Sequence, residues 1–492
     1  MGSASRVRIV AVRETTAGST PSTPRMRTVR AVSESLDFTP DYVDSDEIRS
    51  DRMLGAPIKV MQSAKGGFNG ELAFPDNDSP ESDMWRSTFF NTWTNTNERF
   101  NDGVADSVIT DVATAGTVVT CTAGTAFVAK ELVRFTGFTV AGNNGVFACT
   151  TGSATVPAFV GSGITDEATV PAAARMKVVG FQGDSGDINA TATGLSSTTT
   201  DFTTITGLAV GKWMKIGGTG ATYRFVTAAL NGWVRITAIT ATALTFDNRP
   251  TGWTTETGTA LTIRFFFGDQ IKNGTTGTSL SLEKGFLDQT TPTYIINTGM
   301  QVNERSLDIK SKSKITVSTS FIGMGGSQST AALDASPDAV TTGLVMAANA
   351  NVGRVSENET GLTDPNWASS LTLKFSNSLR TLEAIDSTSP VGVNPGEFTA
   401  SGEINTYFGS NSLLAKLYDA TSTSINCRIT KTSASVPQAM IFTLPTVYLR
   451  AGGNPMATGK STDVMASFTY TAAYNSTYSA SAMLDRLEYF EA

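Results

Sequence analysis

Between Ile315 and Phe321 the chain alternates strictly, with Ile315, Val317, Thr319 and Phe321 on one side and Thr316, Ser318 and Ser320 on the other. Only an extended strand sends successive side chains to opposite faces, so a period of two commits a segment to a half-buried sheet. The same pattern returns at Phe68, Gly70, Leu72 and Phe74, at Leu371, Leu373 and Phe375, at Ile425, Cys427 and Ile429, and at Val464, Ala466, Phe468 and Tyr470. Charged residues make up 16% of the chain and glycines number 45, which suits short strands joined by turns better than charged helices. A chain of 492 residues, 40% hydrophobic, is long enough for more than one core, so three or four mainly β modules are expected.

Two passes through one order of elements are legible. In the first, strand character at Val32 to Phe38 leads through a charged loop, Asp41 to Met53, to the alternating strand at Phe68. A helix should follow: Ser79 is placed as N-cap, Pro80 at the first helical position, and Glu81 and Asp83 in the first turn, where the helix dipole favours acids. Trp85, Phe89 and Trp93 recur every four residues as one buried stripe. Strands resume at Leu280 and Leu282, at Tyr294 to Ile309, and at Ile315 to Phe321. After Pro365 the order repeats. Gly396 to Ile404 mirrors Gly66 to Leu72, a short helix is expected at Leu413 to Tyr418, and strands return at Ile425, Met440 and Val464.

Inserted in the first pass, Ala105 to Gly258 carries its own echo. Glu131 to Phe135 and Asn143-Asn144-Gly145 are answered by Lys212 to Ile216 and Leu230-Asn231-Gly232. Asn-Gly between apolar runs is a hairpin signal, which predicts two small β modules in tandem. The expected organisation is therefore an extended arm over 1–24, a discontinuous first β domain over 25–104 and 259–326, the inserted pair over 105–258, a linker over 327–364 and a second β domain over 365–492. Each β domain is expected to be a sandwich with one flanking helix.

The chemistry available is narrow. With no histidine, Ser-His-Asp and Cys-His catalysis and histidine metal ligation are excluded. Gly453 to Ser461 imitates a phosphate-binding loop but has five residues between its glycines, and a strand pattern follows where that motif needs a helix. Asp76, Asn77 and Asp78 lack the glycine and the distal glutamate of a calcium loop and read as helix capping. No catalytic residue, metal ligand or cofactor is assigned, and the protein is read as not an enzyme. A net charge of −7 disfavours phosphate-neutralising nucleic-acid binding. Cys121, Cys149 and Cys427 are an odd, scattered set that implies no disulfide framework, and no run approaches a membrane span or signal-peptide core.

The order Ser45-Asp46-Glu47-Ile48-Arg49-Ser50-Asp51-Arg52, Gly67-Phe68-Asn69-Gly70-Glu71-Leu72, Thr291-Pro292-Thr293-Tyr294, Gly299-Met300-Gln301-Val302-Asn303 and Ser320-Phe321-Ile322-Gly323 resembles the tail tube proteins of siphophages. Ser401-Gly402-Glu403-Ile404 and Asp463-Val464-Met465-Ala466 carry the likeness into the second half. The resemblance implies a structural virion protein whose sheets join sideways into rings that stack into a hollow tube for DNA. Six tube domains per ring would mean three chains of this duplicated type, with six chains as the alternative. It further implies contact with a tape measure protein and with tail terminator or baseplate proteins, assembly in the bacterial host cytoplasm, and no membrane anchor. The charged loop, with Asp44, Asp46, Glu47, Arg49, Asp51 and Arg52, would contact the next ring, together with the N-terminal arm. The inserted modules would decorate the outside.

Two rival readings stand beside this one. A β-rich surface adhesin or glycan-binding protein would use Trp213 and Trp233 of the inserted modules as ligand platforms. A glycoside hydrolase would need a carboxylate pair such as Glu71 and Glu403.

Overall fold

The computed structural model describes residues 6–491 except 78, 102–107, 114–116, 161–162, 341–342, 344, 434–435, 453–454 and 456–458. Among these the chain is mainly antiparallel β, in one sheet system formed by the body, a second formed by strands between Glu98 and Phe266, and two separate two-stranded hairpins.

In the first pass β1 (Val7–Arg13) lies antiparallel to a strand that arrives almost 270 residues later, with Ile9, Val10 and Ala11 buried. Val7–Arg13 of the expected extended arm is therefore a strand seated on the body, because the apolar residues interleaved with Arg8 and Arg13 are enough to seat one. Next come β2 (Ser33–Glu34), the hairpin strands β3 (Pro40–Val43) and β4 (Ile58–Gln62), and β5 (Lys65–Glu71). Strand β2 pairs with β5 through Ser33 opposite Asn69 and is much shorter than the Val32 to Phe38 expected.

Helix α1 (Pro80–Phe89) begins as its sequence requires, with the Ser79 hydroxyl accepting from the Ser82 N–H at 3.2 Å. Phe90 ends it in the left-handed region at φ 49°. Trp85 and Phe89 are fully buried, and Trp93, just beyond the helix, continues the stripe. Fully burying each such ring contributes roughly 1.5–3 kcal/mol.

After the inserted region the first pass resumes with β6 (Asp269–Lys272), β7 (Leu280–Phe286), β8 (Thr293–Lys310), β9 (Thr316–Ile322) and β10 (Gly325–Ser329). Strand β8 is long enough to serve two neighbourhoods. Its first half lies between β7 and β10, and its second half pairs with β9, which in turn pairs with β5.

The second pass uses α2 (Ala348–Asn351), β11 (Val352–Glu357), β12 (Ala368–Ser376), the hairpin strands β13 (Arg380–Leu382) and β14 (Gly392–Asn394), β15 (Thr399–Tyr407), α3 (Ser412–Tyr418), β16 (Thr423–Ser433), β17 (Val436–Gly452), β18 (Met465–Ala472) and β19 (Met483–Leu487). Pairing repeats much of the first pass: β11 with β16 as β1 with β7, β12 with β15 as β2 with β5, β16 and β19 flanking β17 as β7 and β10 flank β8, and β18 bridging β17 to β15 as β9 bridges β8 to β5, while β19 alone takes β6 on its other side.

The stretch read as a linker is not one: β10, α2 and β11 fall in or across it, and Met346 is fully buried. Leu344 lies outside the described residues, as do Met1, Ala105 and Asp78. The phosphate-loop imitation also falls partly outside them, at Gly453, Asn454 and 456–458, but β18 follows it as a strand.

The inserted sheet is wider than its expected limits, because Glu98–Phe100 and Arg264–Phe266 both pair with Arg175–Gln182. The two echoes recur, but not as two-residue turns. Neither Gly145 nor Gly232 has the positive φ such a turn demands. Instead Asn144 closes its loop by donating to Phe138 O at 2.9 Å and accepting from Phe138 N at 3.1 Å, and Asn231 does the same to Phe225 at 2.7 and 2.9 Å. Glu167 caps Thr139 and Val140 in the first loop, as Glu256 caps Val226 and Thr227 in the second.

Candidate assembly surfaces

The two passes are joined edge to edge. The second half of β8 pairs with β12 from Glu304 opposite Ser376 to Lys310 opposite Ser370. Helix α1 belongs to the first pass in sequence but packs over this seam, its Trp85 ring 6.0 Å from Phe375 and 5.4 Å from Phe442, and its Phe89 ring 5.3 Å from Phe375. One end of the seam is closed by Asn377, whose amide donates to Val302 O at 2.8 Å and Thr88 O at 3.1 Å. The outer members of this arrangement are unpaired. Among the described residues no strand lies against the second half of β17 opposite β18, and none lies against β2 opposite β5.

Both hairpins leave the body at the end of the sheet where β5 starts, and the Gln62 N–H donates to Thr388 O at 2.9 Å between them. All six residues singled out in the charged loop are exposed. Three are already satisfied by each other: Arg49 reaches Asp51 Oδ1 at 3.0 Å and Glu47 Oε1 at 3.1 Å. Asp51 first and Glu47 second raise the Arg49 pKa, and Arg49 lowers that of Asp51. Asp44, Asp46 and Arg52 stand in solvent, Arg52 with φ at 60°. Asp41 to Val43, expected in the loop, are strand. The charge reading missed an apolar ridge on this hairpin, Tyr42, Val43, Ile48, Met53, Leu54 and Ile58, and exposed Leu382, Ile385 and Val391 on the other. Apolar residues at such density in a segment with few internal partners were the available signal.

At the opposite end of the sheet an open groove of about 290 Å³ is lined by Ile309, Ala348, Val352, Val355, Trp367 and Leu371, with Trp367 53% exposed.

The inserted sheet is seated on the body by β19 and the residues after it. Trp213 and Trp233 are buried against Ala439, Ile441, Leu487 and Phe490, and the Trp213 indole N–H donates to Thr443 Oγ1 at 2.8 Å. They are not ligand platforms, because both are spent in this joint.

Beside them lies a buried ionic network. Lys177 Nζ meets Asp269 Oδ2 at 2.6 Å and Glu488 Oε1 at 2.8 Å, Arg175 bridges Glu488 and Glu98 at 2.7 and 2.8 Å, and Arg486 Nε meets Asp269 Oδ2 at 2.9 Å. Burial alone would discourage the Glu488 carboxylate, but Arg175 and Lys177 hold its pKa well below the ordinary range. Asp485, also buried, accepts from Gln270 and Trp213 and is pushed up to about 7 by burial. Burial lowers Lys212 to about 8 against the pull of Asp269 and Asp485. Asn77, expected with Asp76 to cap α1, belongs here as well, its Oδ1 accepting from Arg486 at 2.7 Å, whereas the Asp76 side chain is exposed and its carbonyl accepts from the Ser79 hydroxyl at 2.8 Å.

The glutamates of a hydrolase reading are occupied. Glu71 is paired with Lys314, and Glu403 accepts from Ser467 at 2.7 Å and Asn405 at 2.9 Å, contacts that lower its pKa where a general acid needs it raised. Cys121, Cys149 and Cys427 are buried free thiols. Among the described residues no helix is long and apolar enough to cross a membrane.

No curated protein matches this chain in sequence. The family model of phage tail tube proteins matches residues 4–472, which spans both passes and the inserted sheet. A β-rich body with a repeated strand order and a family match over nearly the whole chain agree, and the chain belongs to the phage tail tube protein family.

Proposed function

We propose that three copies of this chain close side by side into a ring, and that rings stack into the hollow tube of a long, non-contractile siphophage tail through which DNA passes. The observation that carries this reading is the β8–β12 seam. It joins two passes of like connectivity edge to edge and leaves one free edge at each outer side, a head-to-tail arrangement that rotation closes. Six passes make a ring of three chains; six chains would make a ring of twelve.

Sheet edges left open in the single chain gain partners on closure, which removes the aggregation hazard of unpaired edges. The inserted sheet is an exterior decoration in this arrangement, and each β pass with its helix is one tube domain. Stacking brings the apolar hairpins of one ring to the Trp367 groove of the next. The net charge of −7 keeps DNA phosphate from adhering to the passage. Tape measure protein, terminator and baseplate proteins are the partners such a tube meets in a virion assembled in the bacterial cytoplasm.

Light scattering after size exclusion and negative-stain microscopy test the reading. Rings or tubes of uniform diameter built from a three-chain unit are expected. Protein that stays monomeric at high concentration, with no ring or tube in any salt condition, overturns it.

A further inference from the structure

We infer that the free second half of β17 takes the β2 segment of a neighbouring copy as its missing strand, in a fixed register with Leu449 opposite Val32 and Tyr448 opposite Ser33. The inference rests on the ring reading and specifies the contact that closes it.

The register follows from internal correspondence. Val317 pairs with Gly70 and Tyr470 with Gly402, each glycine opening a Gly-Glu-Leu or Gly-Glu-Ile run, so Val317 and Tyr470 hold equivalent places. Their partners on the next strand, Leu307 and Leu449, are then equivalent too. On the other flank Ser33 pairs with Asn69 and Lys374 with Ser401, the residues just before those glycines, which makes Ser33 the counterpart of Lys374 and Val32 of Leu373. Within the chain Leu307 faces Leu373 and Ser306 faces Lys374. Transferring that seam to the free edges puts Leu449 across from Val32 and Tyr448 across from Ser33.

Burial supports the transfer independently. Leu373 is 1% exposed in the formed seam, whereas its counterpart Val32 is 67% exposed. Helix α1 buries Trp85 and Phe89 over the formed seam. Its counterpart α3 leaves Tyr418 67% exposed and Leu414 and Leu417 half-buried. Strand β2 is only two residues long, where β12 has nine. A segment paired on one side gains ladder hydrogen bonds when its second side is filled, so residues 31–34 should lengthen as a strand on closure.

Antiparallel partners sit at Cα separations of about 4.5–5.5 Å, inside the span a disulfide bridges. The test is the pair Ser33→Cys with Tyr448→Cys in the full chain, both positions exposed and the native thiols buried. Mild oxidation of assembled protein is expected to give covalently closed trimers that reductant releases, with no such product from either single variant. Ser35→Cys with Tyr448→Cys, shifted by two residues, should not close. Rings that cross-link through Cys at 35 but not 33 overturn the register, and rings that form without either cross-link overturn the edge pairing. If the unmodified chain forms no ring, the ring reading falls and takes this contact with it. Val32→Asp provides a second measurement: it should leave circular dichroism and unfolding unchanged while abolishing ring formation, and rings of normal yield from this variant overturn the pairing.

Discussion

Replacing Asp485 by Asn should stabilise the protein, and increasingly so as the pH rises. The Asp485 carboxyl lies in β19, fully buried beside Gln270 and Trp213, and its pKa stands at about 7 against an ordinary 3.8. A carboxyl whose native pKa is raised favours folding most below its unfolded pKa, and that contribution is lost as the pH climbs through the native value. The native state at pH 8.5 therefore carries a buried carboxylate at a cost of up to ~4 kcal/mol, from roughly three units at 1.36 kcal/mol each. Asn keeps an acceptor for the Gln270 amide but removes the anion that helps hold the Lys212 ammonium, which trims the expected gain to about 2–4 kcal/mol at pH 8.5. At pH 3, below the ordinary carboxyl pKa, Asp485 is largely neutral in both states and the two proteins should be equally stable. For a chain of this length 1 kcal/mol moves Tm by only about 1 °C, so urea unfolding at several pH values is the better assay. A difference that stays constant between pH 5 and 8.5, or a variant less stable than the parent at pH 8.5, refutes the reasoning.

Trp213→Ala should cost about 3–5 kcal/mol by emptying the joint under the inserted sheet, and limited proteolysis should then cut between 98 and 266 sooner than in the parent. Removing 105–258 alone should yield aggregating protein, because Ala439, Ile441, Leu487 and Phe490 lose their cover; light scattering at fixed concentration reads this. Met53→Ser with Leu54→Ser should reduce tube length in micrographs while leaving single rings intact, and Arg49→Ala, whose charge is matched within its own loop, should change tube length far less. Ser79→Ala removes the cap of α1 and should lower stability by about 1 kcal/mol in denaturant unfolding.

What could be read from the sequence was set by how many faces of each element meet water. Helix α1 was legible because its start is a local matter: Ser79, Pro80 and the first-turn acids act within one turn, whatever packs above them. The strands at Phe68 and Leu371 were legible because Asn69 and Lys374 meet water on the other face, and that at Ile425 because its buried alternates Ser424 and Asn426 are polar, so the alternation survives. Strand β1 was not, since Val7 to Arg13 takes its meaning from β7 far along the chain. Trp213 and Trp233 misled for the opposite reason. All four residues of Trp213–Ile216 are buried, one side in the inserted core and the other against the body, so no polar face marks the strand. Asn144 and Asn231 were placed correctly as loop residues but for the wrong geometry, their side chains clamping longer loops. The charged hairpin drew attention through Arg49 and its acids, the groups most able to satisfy each other, while the apolar residues beside them passed unnoticed.

The seat of the inserted sheet also sets a schedule. Among the described residues every strand of that sheet lies within 98–266, but the residues that cover its tryptophans, and the carboxylates of Glu488 and Glu491 that meet Arg175, Lys177 and Arg264, run from Ala439 to Glu491. At ribosomal speeds of about 5–20 residues per second, the last of them follows some 10–45 s after the sheet is complete. Through that interval the sheet waits with Trp213, Trp233 and Phe266 uncovered and Lys177 without Glu488. A ribosome that stalls or terminates early therefore releases a chain marked by a sticky, unmated face, which chaperones and proteases recognise. The joint ties a finished surface on that sheet to synthesis having passed Phe490.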